Sequence, residues 1–301
     1  RVPLALRPLR CRRRRQQQQH CCGRCGSCGR CVCVCFGGRA GQIAIVHEEL
    51  ARGGAVSLSA CLIAHSDIIA AYLSELGSEE QNKRWLPKMV SGEVIAAIGM
   101  SEPNAGSDLK SIRTTARPDG KGGYLLSGQK TFITNGYNAD LVVVACKTNE
   151  KGISLFLVDT KLPGYRTGRL LEKVGQKAGD TAELFFDDIY LSASDSLGEI
   201  GSGFKNMMKL MPRERLAIVV TAIAEAETAY ELALAYVRER KAFGQEILKF
   251  QNTRFKLAES LTEARLGRVF IDHCIELFLK DQLDAVTVSM TKRWTTEKQC
   301  S

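Results

Sequence analysis

From residue 42 onward, hydrophobic positions first recur at helical spacing. Ile43, Val46 and Leu50 share one face, and Gly53-Gly54 stops the run. The stretch VSLSACLIAHSDIIAAYLSEL (56–76) is apolar on most faces and predicts a buried helix ended by Gly77. Ser78-Glu79-Glu80-Gln81 has the form of a capping box and opens a further helix through Trp85 towards Met89. The period then changes. VIAAIGM (94–100), LVVVACK (141–147), ISLFLVD (153–159) and AELFFDDIYL (182–191) read as strands separated by Gly, Asn, Asp and Lys. YLLSGQKTFIT (124–134) predicts two strands of a hairpin around Ser127-Gly128. After Gly201-Ser202-Gly203 the helical period returns over 204–240, 248–280 and 284–300. The expected fold class is therefore multidomain α and β. A helical segment spans 42–93, a central β-domain 94–198 and a helical bundle 199–301.

Composition alters this picture at one end only. The chain has 301 residues, enough for about two domains, and 45% of them are apolar, as in ordinary globular proteins. No window of 18 uninterrupted apolar residues is found, so no membrane span is expected. The formal charge of +9 invites a nucleic-acid reading, but ten Arg lie in residues 1–40, which hold no Lys and no acidic residue. The remainder carries 32 basic and 33 acidic side chains, so the body is close to neutral and no nucleic-acid partner is expected. Eight of the twelve Cys fall between Cys11 and Cys35, whereas Cys61, Cys146, Cys274 and Cys300 are scattered, as in a reduced protein without a disulfide framework.

Residues 1–41 thus form an Arg- and Cys-rich tail of low complexity. Cys22, Cys25, Cys28 and Cys31 have the thiolate spacing of an iron–sulfur or zinc site. The flanks lack an apolar pattern that would fold around a cluster, and no Pro follows the fourth Cys, so no metal ligands are assigned. A disordered or non-native segment, from a GC-rich gene read out of frame, accounts for the composition more simply. An Arg-rich, acid-free organelle presequence is the third reading.

The chemistry-bearing motifs lie in the body. MSEPNAGSD (100–108) is a long polar loop between apolar runs, where a two-residue turn would suffice; such loops hold ligands. Small hydroxyls and free backbone N–H groups suit carbonyl or phosphate oxygens, and Gly106 allows close backbone approach. Taken in order, MSEPNAGSD, GQKTFITN, TAELFFDDI and RERKAFGQ resemble the acyl-CoA dehydrogenase family of flavoproteins, over roughly residues 42–301. The resemblance implies an N-terminal helical domain, a central β-domain and a C-terminal helical bundle, with one FAD per subunit in a dimer or tetramer. It implies oxidation of the Cα–Cβ bond of an acyl-CoA thioester, with electrons passed to an electron-transfer flavoprotein.

Residue roles follow from the same resemblance. Ile98, Met100, Ser101, Gly106 and Ser107 would wrap the flavin, with Ser107 also near substrate. Phe132, Ile133 and Thr134 would form the second flavin motif, Thr134 lying near N5, where the hydride from the β-carbon arrives. Glu214, in the ERL position used by the long-chain and isovaleryl branches, would remove the α-proton. Such a base must be desolvated, with a raised pKa. Arg215 would contact substrate or its carboxylate neighbour. Arg240 and Gln251 would reach the FAD of a neighbouring subunit, an Arg fork suiting a pyrophosphate. Ser101 stands where relatives often have Thr, and Asn104 where they often have Gly. Family members carry further helices before residue 42 and after Ser301, so the chain is expected to be truncated at both ends. An inactive fragment and an acyl-CoA oxidase-like flavoenzyme are the alternatives. Bacterial cytoplasm and mitochondrial matrix both remain open as locations, as do acyl chain length and branching.

Overall fold

A computed structural model describes residues 40–148 and 152–301; the Cys/Arg-rich tail, with its proposed thiolate ladder, lies outside the described residues. The first helix, α1 (Ala40–Arg52), is followed by an apolar helical run in three pieces. These are α2 (Val56–Leu62), a π-helical segment (Ile63–Ile69) and α3 (Ala70–Leu76). By length and composition this run is apolar enough to cross a membrane, because its Ile, Leu, Val and Ala raise the mean hydropathy although Ser, His and Asp interrupt the apolar run. Its apolar side chains are engaged elsewhere: Ile69, Tyr72 and Leu73 are completely buried in the core. The capping box is present at α4 (Glu79–Ser91), where Gln81 N donates to Ser78 Oγ at 3.2 Å and Ser78 N donates to Gln81 Oε1 at 2.9 Å. The Gln81 amide also donates to the carbonyls of Ser194 and Ser196, tying α4 to the end of the β-domain.

The β-domain is one seven-stranded sheet. Its strands are β1 (Ala96–Gly99), β2 (Thr115–Pro118), β3 (Tyr124–Thr134), β4 (Leu141–Lys147), β5 (Ile153–Asp159), β6 (Tyr165–Leu170) and β7 (Thr181–Leu191). They run in the order β1-β4-β2-β3-β7-β6, with β5 also paired to β4. The run LVVVAC has no polar positions because β4 has no wet face. Leu141, Val143 and Ala145 pack against α3 and α4, while Val142, Val144 and Cys146 pack against β3, β5 and β7.

Ser127-Gly128 is not a turn, contrary to the hairpin expectation. β3 is continuous from Tyr124 to Thr134, and Ser127-Gly128 marks a shift in its register with β7. Gly128 has φ 146°, and a Cβ there would lie 2.5 Å from Thr114 Oγ1, so only Gly fits where β3 crosses Thr114.

The C-terminal part comprises α5 (Gly203–Glu239), a short β8–β9 ribbon (Lys241–Ala242 and Gln245–Glu246), α6 (Gln251–Leu279) and α7 (Ala285–Cys300). Leu216, Val219, Val220 and Ile223 of α5 meet Ile271 and Cys274 of α6 and Val288 of α7 in a separate core. The amino-terminal half of α5 also reaches the first core through Met207 and Leu210.

Candidate active site

The helical run 56–76 and α5 lie side by side. Tyr72 Oη donates to Glu214 Oε1 at 2.9 Å, and Ser59 Oγ lies 3.3 Å from Thr221 Oγ1. The partners pair in reverse order, so the two helices are antiparallel. Between them is a groove of about 270 Å³. Ile68 and Ala64 line one wall and Ile218 and Ala222 the other, while Thr134 at the end of β3 contributes to the lining. Ile68 lies one turn before Tyr72, and Ile218 one turn after Glu214. The Tyr72–Glu214 pair therefore stands next to a groove that Thr134 also faces.

The π-segment is held from two sides. His65 accepts a hydrogen bond from Ala96 N at Nδ1 (3.2 Å) and donates from Nε2 to the Met89 carbonyl (3.2 Å). That pattern requires the neutral ring, and burial lowers its pKa. Asp67 binds His47 Nε2 at 2.5 Å, and His47 Nδ1 lies 2.8 Å from Ser59 Oγ, all buried. π-Helical turns occur often at functional sites. Here one such turn forms a groove wall.

Glu214 has the environment of a base. Burial raises its pKa, and the hydrogen bond from Tyr72 and the charge of Arg215 draw it back only in part. Among the described residues no donor reaches its other oxygen. Arg215 faces another way, donating to Ser289 Oγ of α7 at 2.6 Å, so it acts on Glu214 through its charge rather than by a hydrogen bond. Tyr72 was not foreseen from sequence. The available signal was a polar aromatic within an apolar buried helix, where its hydroxyl needs a partner.

The two β-domain motifs are joined. Lys130 Nζ, completely buried, lies 2.8 Å from Glu102 Oε1 and donates to the Met100 carbonyl at 3.0 Å. Glu102 also accepts from the backbone of Arg113 and Thr114. Past Lys130 the register of β3 with β7 shifts again, so Thr131 faces inward next to Lys130 and Phe132 turns outward. Phe132 is 70% exposed and has φ 59°, a strained conformation for an aromatic residue. Ile133 points the other way from Phe132. Its side chain is buried in the β-domain core, and its carbonyl accepts a hydrogen bond from Gly136 N at 3.1 Å.

Ile98 and Met100 are half-buried, and Gly106 and Ser107 exposed, with open space around Gly106. Among the described residues, the hydroxyls of Ser101, Ser107 and Thr134 have no protein partner. Three free hydroxyls, an open Gly and an outward aromatic on strained backbone fit a flat, polar-edged cofactor. Arg240 and Gln251 are exposed and lie apart from this set. Arg240 follows Glu214 by 26 residues of α5, about 39 Å along the helix. One copy of the chain therefore does not bring all the expected cofactor residues together.

A helical segment, a mixed sheet and a helical bundle, with a groove between the helical run 56–76 and α5 that the end of β3 also lines, define an α–β–α architecture with a candidate ligand site. Three family models match in order: the acyl-CoA dehydrogenase N-terminal domain over 15–93, the middle domain over 97–189 and the C-terminal domain over 201–301. The first match begins inside the tail set apart by composition. The long-chain specific acyl-CoA dehydrogenase of Sus scrofa mitochondria is 44% identical over 271 residues, 88% of this chain. The mitochondrial isovaleryl-CoA dehydrogenase of Oryza sativa subsp. japonica is 38% identical over 75% of this chain. Among solved structures, an acyl-CoA dehydrogenase from Geobacillus kaustophilus superposes with TM-score 0.83 at 46% identity, covering 86% of this chain and 69% of that one. The chain belongs to the acyl-CoA dehydrogenase family. It spans 62% of the length of the porcine relative and 56% of the rice one.

Proposed function

We propose that the chain catalyses α,β-dehydrogenation of an acyl-CoA thioester with FAD, Glu214 acting as the base. The observation that carries this reading is the desolvated Glu214 carboxylate, held by Tyr72 beside a groove that Thr134 also lines. Relatives named as long-chain and isovaleryl-CoA dehydrogenases support the activity, and a solved neighbour, a glutaryl-CoA dehydrogenase from Mycobacterium smegmatis, is described in complex with FADH2.

The α-proton of a thioester is weakly acidic, so its acceptor must be poorly solvated and well aimed. Tyr72 O–H engages one Glu214 oxygen and orients the carboxylate, leaving the other oxygen to take the proton. Burial favours the protonated product, which adds driving force to the transfer. Ser101, Ser107 and Thr134 offer hydroxyls to the isoalloxazine and its chain, Gly106 admits it closely, and Phe132 excludes water from its face. Ile98 in β1 and Met100 just after it support that loop. FAD, when bound, supplies the acceptor for the electron pair leaving the β-carbon.

Arg240 and Gln251 fit a role toward the FAD of a second copy, since they are remote from Glu214 in their own chain. Exposed apolar side chains on α5 (Leu232, Tyr236) and α6 (Phe255, Leu266, Val269) support a homo-oligomer, dimer or tetramer. An electron-transfer flavoprotein is the proposed acceptor. Mitochondrial matrix or bacterial cytoplasm is the proposed location. The test is anaerobic titration of the flavin-loaded protein with acyl-CoA thioesters of increasing chain length. The expected result is bleaching of the oxidised flavin band; absence of bleaching with every thioester would overturn the reading.

A further inference from the structure

The groove does not end in hydrocarbon. Its far end lies between the start of α2, at Val56 and Ala60, and the middle of α5, where Glu225 lines it together with Gln299 of α7. Glu225 follows Glu214 by eleven residues. At 100° per residue that is about 20° beyond three full turns, so both carboxylates project from one face of α5, about 16 Å apart along its axis. The walls between them are mainly apolar, formed by Ile63, Ala64 and Ile68 opposite Ile218 and Ala222, with Thr134, Gln176 and Thr221 as polar members of the lining.

Glu225 is chemically out of place at such an end. It is half-buried, and desolvation holds its carboxyl above its usual range. Gln299 Nε2 donates to Oε2. Among the described residues, no donor reaches Oε1 and no basic side chain pairs with the carboxylate. A leucine would close the groove without placing a charge there. A carboxylate with a free oxygen in a half-dry groove is stabilised when a ligand brings a hydrogen-bond donor.

We infer that Glu225 determines specificity, accepting a hydrogen bond from a hydroxyl at the far end of an acyl chain whose α-carbon lies at Glu214. This inference rests on the acyl-thioester reading and extends it to the distal end of the substrate. An extended hydrocarbon chain advances about 1.3 Å per carbon, so the span between the two carboxylates matches about thirteen carbons. The substrate class is a long-chain ω-hydroxyacyl thioester, distinguished from the plain acyl thioester of the same length.

The test compares two acyl-CoA thioesters of about fourteen carbons, one with a terminal hydroxyl and one without. Binding to the parent, Glu225→Gln and Glu225→Leu proteins is measured by titration calorimetry, with circular dichroism to establish folding. Anaerobic flavin reduction by the same thioesters is followed in parallel. The parent should bind the hydroxylated thioester about tenfold or more tightly than the plain one. Glu225→Gln should keep part of that preference, and Glu225→Leu should abolish it. Equal affinities in the parent, or an undiminished preference in folded Glu225→Leu, overturn the inference. Preferential binding without flavin reduction upholds the role of Glu225 and counts against dehydrogenation. Reduction by both thioesters without discrimination does the reverse.

Discussion

Lys130 Nζ and Glu102 Oε1 lie 2.8 Å apart with both side chains buried, and they join the loop after β1 to the strand carrying Phe132 and Thr134. Replacing Lys130 by Met leaves the Glu102 carboxylate buried without its cation. Removal of one member of a buried pair costs about 3–5 kcal/mol. Lys130→Met should therefore unfold at markedly lower denaturant concentration, and Lys130→Met with Glu102→Leu should recover much of the loss. If the single variant matched the parent in equilibrium unfolding, the clamp would contribute nothing.

The same pair sets an acid limit. Burial alone would raise the Glu102 pKa, but hydrogen bonds from Lys130, Thr114 and Arg113 outweigh it and leave the pKa lowered. A carboxylate depressed in the folded state adds stability above its unfolded pKa of about 4.3, and that stability is lost as pH falls through its folded value. Glu102→Gln should flatten the acid limb of a plot of unfolding free energy against pH. An unchanged limb would assign acid sensitivity to other carboxylates.

Glu214→Gln removes the proposed proton acceptor while keeping the shape and the bond from Tyr72. The variant should still bind acyl-CoA by calorimetry, but flavin bleaching should slow by about a thousandfold or more. Reduction at the parent's rate would mean that another group takes the proton.

Tyr72→Phe acts on the pH profile. A base works ionised, so reduction speeds up as pH rises through the Glu214 pKa and levels off above it. The Tyr72 hydrogen bond lowers that pKa against the effect of burial. Without it the limb should move to higher pH, with reduction about three- to tenfold slower on the limb and close to the parent's on the plateau. A uniform loss at every pH would mean that Tyr72 acts by orienting the carboxylate rather than by setting its pKa.

Phe132 occupies backbone space that suits Gly. Phe132→Gly should relieve about 1 kcal/mol of strain and raise the melting temperature of flavin-free protein, while weakening flavin retention. A variant that keeps FAD as tightly as the parent would show that the ring does not cover the cofactor.

The elements that were legible from sequence are those in which a single environment acts on a whole segment. The all-apolar β4, the capped α4 and the long bundle helices wrote their periods plainly into the chain. β2 and β6 were not foreseen. TARP is four residues ending in Pro, and YRTGRL lies at the sheet edge with few apolar positions, so neither carries a strand pattern. Ser127-Gly128 looked like a turn because a β-bulge and a turn both call for Gly. Glu214 was reachable through its motif, whereas Tyr72 was not. Its partner lies 142 positions away, a distance set by packing rather than by local pattern.

The π-segment has an implication for how the molecule tolerates change. A π-turn contains one residue more than the α-turn it replaces. Deleting a residue between Ile63 and Ile69 would let the run close into ordinary α-helix while its two ends keep nearly the same facing. Tyr72 would keep its grip on Glu214, and Val56 and Ala60 would stay on the groove. Loss of one codon there is a change the helix absorbs, whereas the same loss in the α-helical pieces on either side would turn one end of the run by about 100° against the other.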